Sequence, residues 1–371
     1  MAIALGIATR PISRSFSVGG HMRTICITRS THSVWLLIAL LLVQACSDGR
    51  VASGEENTAA TAATAAWQIV WSEEFDAESL DRTKWSAEES CWGGGNEERQ
   101  CYTDREENVR VEDGVLKLSA RLERHTGPLY PAHYTHLADT QTREQQYTSG
   151  KVITHGKGEW LYGRMSARIK MPAGQGAWAA FWMMPADDSY GYWPLSGEID
   201  VVEAVNLGAV CKQCDGGIEH RTTGALHFGD VIPGNTYRYF NDMNSVQESP
   251  AENWRTYSVE WAEGVIQWFV DDEIVMRLEG VDWYSSAASA LDKHAAPFDQ
   301  PFYLILNLAV GGKHSESRNA GGVDTSIFPV EMQVDWVRVE QCAGDRETGL
   351  GCLSSQEWEG KPLWPDDNNA S

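Results

Sequence analysis

Between Trp67 and Glu340 apolar and polar residues alternate in short runs separated by turn residues. The period of two is clear in VRVEDGVLKLSARL (109–122), GRMSARIKM (163–171), TGALHF (223–228), RTYSVEWAEGVIQWFVDDEIVMRL (255–278) and MQVDWVRVE (332–340). Successive side chains of an extended strand point to opposite faces, so the pattern predicts strands buried on one side. Asp-Gly, Glu-Gly and Asp-Asp at the bends are hairpin chemistry. Stripes at helical spacing are nearly absent, and the chain carries no internal repeat. Many strands between turns predict one all-β domain over 67–340, a sandwich or a barrel. Beyond it the alternation stops, and residues 341–371, ending in DDNNAS, are expected to form a stapled turn and a fraying tail.

The N-terminal pattern is different. Residues 1–45 hold Arg10, Arg14, Arg23 and Arg29, no acid, and one apolar run, VWLLIALLLV at 34–43. That run is too short to span a bilayer comfortably. A basic flank, a short apolar core and a small residue before the cleavage point read as a secretory signal. Cys46 directly follows LLVQA, which resembles a bacterial lipobox, so Cys46 is expected to be the lipidated first residue of an exported cell-envelope lipoprotein. Plain secretion is the alternative. The stretch 46–66, small and polar, reads as a flexible tether.

Charge narrows the partners. Thirty Lys and Arg against 52 Asp and Glu leave a formal charge of −22, which argues against nucleic acid because phosphate binding needs a basic face. Tryptophan is abundant at 16 residues, which suits sugar faces as well as core packing. Setting aside Cys26 and Cys46, the remaining cysteines lie in three close pairs, Cys91 with Cys101, Cys211 with Cys214 and Cys342 with Cys352. An even count in an exported chain suggests disulfides, with connectivity open. The Cys211-Lys212-Gln213-Cys214 spacing also allows half a zinc site or a redox pair, but no second CxxC or HxxxH is present. His125, His133 and His136 fall in a Pro- and Tyr-rich segment expected to be a solvated loop.

The chemistry concentrates in WPLSGEIDVVE, 193–203. Alternation puts Glu198 and Asp200 on one face and Ile199 and Val201 on the other, which leaves Glu203 on the wrong side. One extra residue, a bulge at Val201-Val202, swings it back. Three carboxylates on one strand face repel one another, and such a row calls for a metal or a shared proton. A calcium or magnesium site is the competing reading, since hard cations take oxygen ligands. Two carboxylic acids in different environments are what glycoside hydrolysis needs, and like charges a few ångströms apart cannot all ionise.

These residues resemble the bulged E-x-D-x-x-E signature of glycoside hydrolase family 16, as in laminarinases (endo-1,3-β-glucanases) and some agarases. Eight blocks in order carry the resemblance: WSEEFD (71–76), 92–116 from WGGGNEERQ to DGVL, 147–185 from YTSGK to WMMP, the 193–203 strand, GALHFGD (224–230), YSVEW (257–261), FYLILNLAVGG (302–312) and FPVEMQVDWVRVEQ (328–341). It implies a β-jelly-roll of two antiparallel sheets with a concave substrate cleft. It also implies a retaining double displacement, with Glu198 as nucleophile, Glu203 as acid and then base, and Asp200 assisting, and with the two reacting carboxyls roughly 5 Å apart. Carried over by position, substrate contacts are expected from Asn96, Glu97, Arg164, Trp178, Trp182, Trp193 and His227. No cofactor is implied for the chemistry. A structural Ca²⁺ on the convex side is implied at Asp335, Gly114 and Glu74.

The chain also departs from the family's pattern. Where many laminarinases continue NLAVGG with Asn-Trp, this chain has Lys313-His314-Ser315-Glu316, so an aromatic contact near the groove is expected to be missing. HTGPLYPAHYTH (125–136) looks like an insertion, and a longer loop including Cys211 to Gly217 comes after the acidic strand. The expected partner is a β-glucan, the expected state a monomer, and membrane contact is expected only through the lipid. A galactan such as agarose, on the same mechanism, is the alternative substrate, and a non-catalytic glucan-binding protein the alternative class.

Overall fold

In the computed structural model, residues 66–137, 140–242 and 249–363 are described. The expected signal at 1–45, the anchor Cys46, all but the last residue of the 46–66 tether and the extreme C-terminus lie outside them.

The alternating segments fold as strands of a two-sheet sandwich, a β-jelly-roll. One sheet runs in the order Glu273–Glu279, Val265–Val270, Arg255–Ala262, Gly163–Lys170, Val330–Cys342, Val115–Pro128, Thr142–Ser149 and Gln100–Tyr102. Trp67–Glu73 pairs with Val330–Cys342 in that sheet, and Val109–Glu112 with Val115–Pro128. The other, concave sheet runs Asn235–Asp242, Thr222–Gly229, Glu198–Val205, Ala177–Pro185, Phe302–Val310, Lys151–Ile153 and Ser86–Ala87. The pairings are antiparallel, except that Gln100–Tyr102 lies parallel to Thr142–Ser149.

Alternation decides what fills the space between the sheets. Phe181, Met183, Ile199, Leu226, Leu304, Leu306 and Leu308 from the concave sheet meet Leu116, Leu118, Met165, Ile169, Val259, Trp261 and Val337 from its partner. The intervening residues of the concave sheet, among them Trp178, Trp182, His227 and Asn307, point out onto its open face. Phe302–Val310 is buried throughout because it is central. Its outward Tyr303 and Ile305 are covered in turn by Ile153, Trp182 and Met184.

The turns obey their residues. Asp113-Gly114 and Asp271-Asp272 have positive φ at both positions, 56° and 73°, then 49° and 68°, the backbone twist that tight two-residue hairpins require. The three cysteine pairs are closed as Cys91–Cys101, Cys211–Cys214 and Cys342–Cys352, which resolves the open connectivity and commits Cys211 and Cys214 to each other. The last strand runs to Cys342, two residues past the boundary expected at Glu340. The segment from Ala343 to Leu363 is anchored rather than loose. Ser354 N–H donates to Glu260 Oε2 at 2.6 Å, and Leu363 exchanges backbone hydrogen bonds with Tyr239 on the edge strand of the concave sheet.

The core is continuous, so truncating it at its centre is expected to be costly. Leu306 is fully buried, and Leu306→Ala is expected to destabilise the domain by about 2–5 kcal/mol, read as a lower urea midpoint at unchanged slope.

Candidate active site

The strand Glu198–Val205 lies between Ala177–Pro185 and Thr222–Gly229. Against one neighbour Asp200 faces Trp182 and Val202 faces Phe181; against the other Asp200 faces Ala225 and Glu203 faces Thr223. Both registers slip between Asp200 and Glu203, so one residue is extra, at the position expected from the motif. Val201 and Val202 both bury in the core, 2% and 1% exposed, and this is why the bulge forms there. Two adjacent apolar β-branched side chains share the inward face, and Glu203 returns to the face of Glu198 and Asp200.

Each glutamate takes an indole hydrogen bond. Trp193 Nε1–H donates to Glu198 Oε2 at 2.6 Å, and Trp178 Nε1–H donates to Glu203 Oε1 at 2.8 Å. Both tryptophans thus bind a carboxylate edge-on while their rings remain half-buried. Asp200 is deeper, 3% exposed, with Oδ2 3.2 Å from Nε2 of His227. His227 stands directly across the ladder from Glu198, and ligand atoms of Glu198, Asp200 and His227 all fall within 4.8 Å of one another. That trio has the spacing of a cation site, and it also sets the carboxyls of Glu198 and Asp200 close enough to share a proton.

Burial pushes the Glu198 carboxyl up to about 8, and the negative charges of Asp200 and Glu203 add to the rise. Nearby His227 and the Trp193 hydrogen bond oppose it. Asp200 is also pushed well above the carboxylate range, by burial first and by Glu203 second. Both carboxyls therefore favour the protonated form, and Trp193 on Oε2, with His227 nearby, stabilises the Glu198 anion when it forms.

The remaining expected contacts divide. Trp182 Nε1–H donates to Asn307 Oδ1 at 2.6 Å, and Asn307 Nδ2–H donates to Tyr102 OH at 2.9 Å, so Trp182 is locked on the cleft floor. Lys151, ion-paired to buried Glu88 at 2.9 Å, stands 5.3 Å from the Trp182 ring. Asn96 and Glu97 ride on a loop in which Gly93, Gly94, Gly95 and Glu97 have positive φ. It flanks the end of Phe302–Val310, where Arg99 N–H meets Val310 O at 2.8 Å, Lys313 N–H meets Asn96 O at 2.7 Å and Lys313 Nζ pairs with exposed Glu97 at 2.8 Å.

Arg164 does not reach the cleft. It lies on Gly163–Lys170 in the opposite sheet, where Met165, Ala167 and Ile169 take the core face, so its side chain points to the outer surface and pairs with Asp272 at 2.6 Å. Two of the residues expected to hold calcium are paired with arginines. Glu74 is held by both arms of Arg338 at 2.8 and 2.9 Å, and Asp335 Oδ2 by Arg168 at 2.6 Å, so both carboxylates already face a guanidinium.

The segment expected as a solvated loop is one only in part: His125 lies in the strand Val115–Pro128, His133 packs by Tyr303 and His155 and Tyr134 by Trp92, while His136 stays exposed and stacks on Tyr192 at 4.3 Å. Burial lowers His133 to about 4. After NLAVGG an imidazole rather than an indole stands near the groove, the His314 ring 4.7 Å from that of Trp178. Asn307 was legible in principle, as the single polar amide in the apolar run 302–310, out of phase with Leu306 and Leu308.

The profile described as Glycosyl hydrolases family 16 matches residues 96–338. The chain is 38% identical over 285 residues to glucan endo-1,3-beta-glucosidase A1 of Niallia circulans, covering 75% of this chain and 38% of that longer protein. It is 35% identical over 285 residues to a beta-glucanase of Rhodothermus marinus, covering 74% of this chain and 85% of the relative. Among solved structures, the laminarinase from Rhodothermus marinus superposes with a TM-score of 0.59 at 33% identity, covering 75% of this chain and 99% of that one.

The raised Glu198 carboxyl makes a signed prediction. Its folded pKa of about 8 exceeds the ordinary 4.5, so the folded state holds a proton that the unfolded chain releases, and stability falls as pH climbs from 4.5 to about 8. Glu198→Gln is therefore expected to unfold at higher urea than the parent at pH 8, with the gap shrinking toward pH 4.

Proposed function

Since the chain belongs to glycosyl hydrolase family 16, we propose that it is a retaining endo-β-1,3-glucanase acting on laminarin-like glucans. The observation that carries this reading is the bulged strand that turns Glu198, Asp200 and Glu203 to one face, with an indole donor on each glutamate. Relatives named for 1,3-glucan and laminarin cleavage support the substrate.

In the first step a carboxylate oxygen of Glu198 attacks the anomeric carbon while the glycosidic C–O bond breaks, and Glu203 gives its proton to the departing sugar oxygen. In the second, Glu203 takes a proton from water, whose oxygen displaces Glu198 from the anomeric carbon with net retention. Asp200, keeping its proton, donates to Glu198 and lets it cycle between anion and ester. His227, beside Asp200, favours the negative charge of the pair. Trp178, Trp182 and Trp193 present ring faces to the C–H sides of glucose units, and Asn96 and Glu97 present polar groups to hydroxyls at the cleft wall. These residues need no cofactor for the chemistry.

We place the enzyme outside the cytoplasm, as a monomer carried by the 1–45 signal and tethered through Cys46 and the 46–66 linker. The support is the basic, acid-free leader and the small residue before Cys46. Membrane contact is then only through the lipid, and Cys46→Ala is expected to release the protein from the membrane fraction on cell fractionation.

The chemistry is tested on the polymers. Reducing ends are expected to appear rapidly from laminarin and slowly from agarose, and proton NMR should show the β anomer first. Glu198→Ser is expected to stay folded and lose about 10⁴-fold or more in kcat. Full activity in that variant would overturn the roles, and release from agarose alone would keep the mechanism and replace the glucan with a galactan.

A further inference from the structure

Trp178 touches two groups at once. Its indole N–H is spent on Glu203 Oε1 at 2.8 Å, while its ring lies against the imidazole of His314, 4.7 Å between centroids with the planes tilted by 37°. Ala180, two residues along, faces Glu203 across the ladder, so the strand already brings Trp178 to the carboxylate's side. Backbone pairing does not set the rotation of the ring about its own side-chain bonds, and the N–H reaches Oε1 only in a narrow range of that rotation.

His314 is well placed to set it. The imidazole projects from the short helix Gly312–Glu316, and the surroundings of that helix allow it little movement. Gly312 N–H donates to Glu316 Oε1 at 2.8 Å, Ser315 Oγ donates to Gly311 O at 2.7 Å, Asn206 Nδ2 donates to Ser315 O at 2.8 Å, and Glu316 is ion-paired to Arg99. Gly311 and Gly312 both have positive φ, 68° and 84°, and a Cβ on Gly312 would fall 2.9 Å from Asn96 O, so the approach to the Asn96 loop is tight.

The charged groups near His314 are Glu203, Arg318 and His227. Burial outweighs them and lowers its pKa to about 4, so the ring is neutral where carboxylate chemistry operates. A cation here would hold Glu203 ionised. A neutral ring packs without doing so.

We propose that His314 is a positioning residue for Glu203, acting through Trp178: the imidazole holds the indole at the angle that keeps its N–H on Glu203 Oε1. This rests on the reading of Glu203 as the acid and base. The consequence is specific to proton transfer. Losing His314 should slow the departure of leaving groups that need a proton and spare those that do not.

The test uses His314→Ala and His314→Phe in the full chain, with two aryl β-laminaribiosides of similar shape, one releasing phenol and one releasing 2,4-dinitrophenol. His314→Ala is expected to lower kcat/KM about tenfold for the phenyl substrate and less than about twofold for the dinitrophenyl one. His314→Phe, which keeps a ring against Trp178, is expected to recover most of the phenyl activity. Equal losses on both substrates would mean a general role in folding or binding and overturn the proposal, as would no loss on either. Glu203→Ala is run beside them with azide. Azide rescue of the dinitrophenyl substrate supports the acid and base role, and its failure overturns that reading whatever His314→Ala does.

Discussion

Val201 and Val202 both turn into the space between the sheets, and the strand that carries them slips by one residue against both neighbours. Much of the active face depends on that slip. In a regular strand Glu203 would follow Val201 inward, burying a carboxylate among Phe181, Ile199 and Leu226, at a cost of several kcal/mol for an unpaired charge. With the slip, three acids share one face. Hydrophobic burial of two methyl-bearing side chains thus sets the geometry of the charged ones, and the core and the site cannot be altered independently.

Crowding three acids has its own cost. Burial and mutual repulsion hold protons on Glu198 and Asp200 that free carboxyls would release, which weakens the fold as pH rises. The surrounding donors limit the penalty without removing it. Trp193 and Trp178 each place one N–H on a glutamate, and neither indole brings a formal charge that would lock its partner ionised. Lys151, the buried cation of the cleft floor, is instead spent on Glu88, away from the reacting acids. Charge is therefore neutralised where it is structural and left adjustable where protons must move.

The cleft walls come from segments distant in sequence. Loop 93–98 and the helix Gly312–Glu316 meet at one end through Lys313 and Glu97. The 129–137 segment meets Tyr192 through His136, and Trp92, just before loop 93–98, through Tyr134. These contacts are aromatic, imidazole and mixed-charge.

Strand periodicity and turn chemistry were readable from order alone, because the two-residue repeat of an extended chain maps directly onto inside and outside. For the same reason the bulge was readable: E-x-D-x-x-E is one residue out of phase, and only an extra residue restores one face. The cysteines, close in the chain, were readable as pairs. What order could not settle was which sheet a strand joins. Arg164 sits in a strand as regular as the one carrying Trp178, yet it belongs to the opposite sheet and points to the outer surface. Nor could it settle which charges pair across the fold, such as Glu74 with Arg338 and Asp335 with Arg168. His314 and His133 gain their surroundings from residues far away in the chain, Trp178 and Tyr303. Local pattern decides the face a side chain takes. Only the packing of both sheets and their loops decides what that face meets.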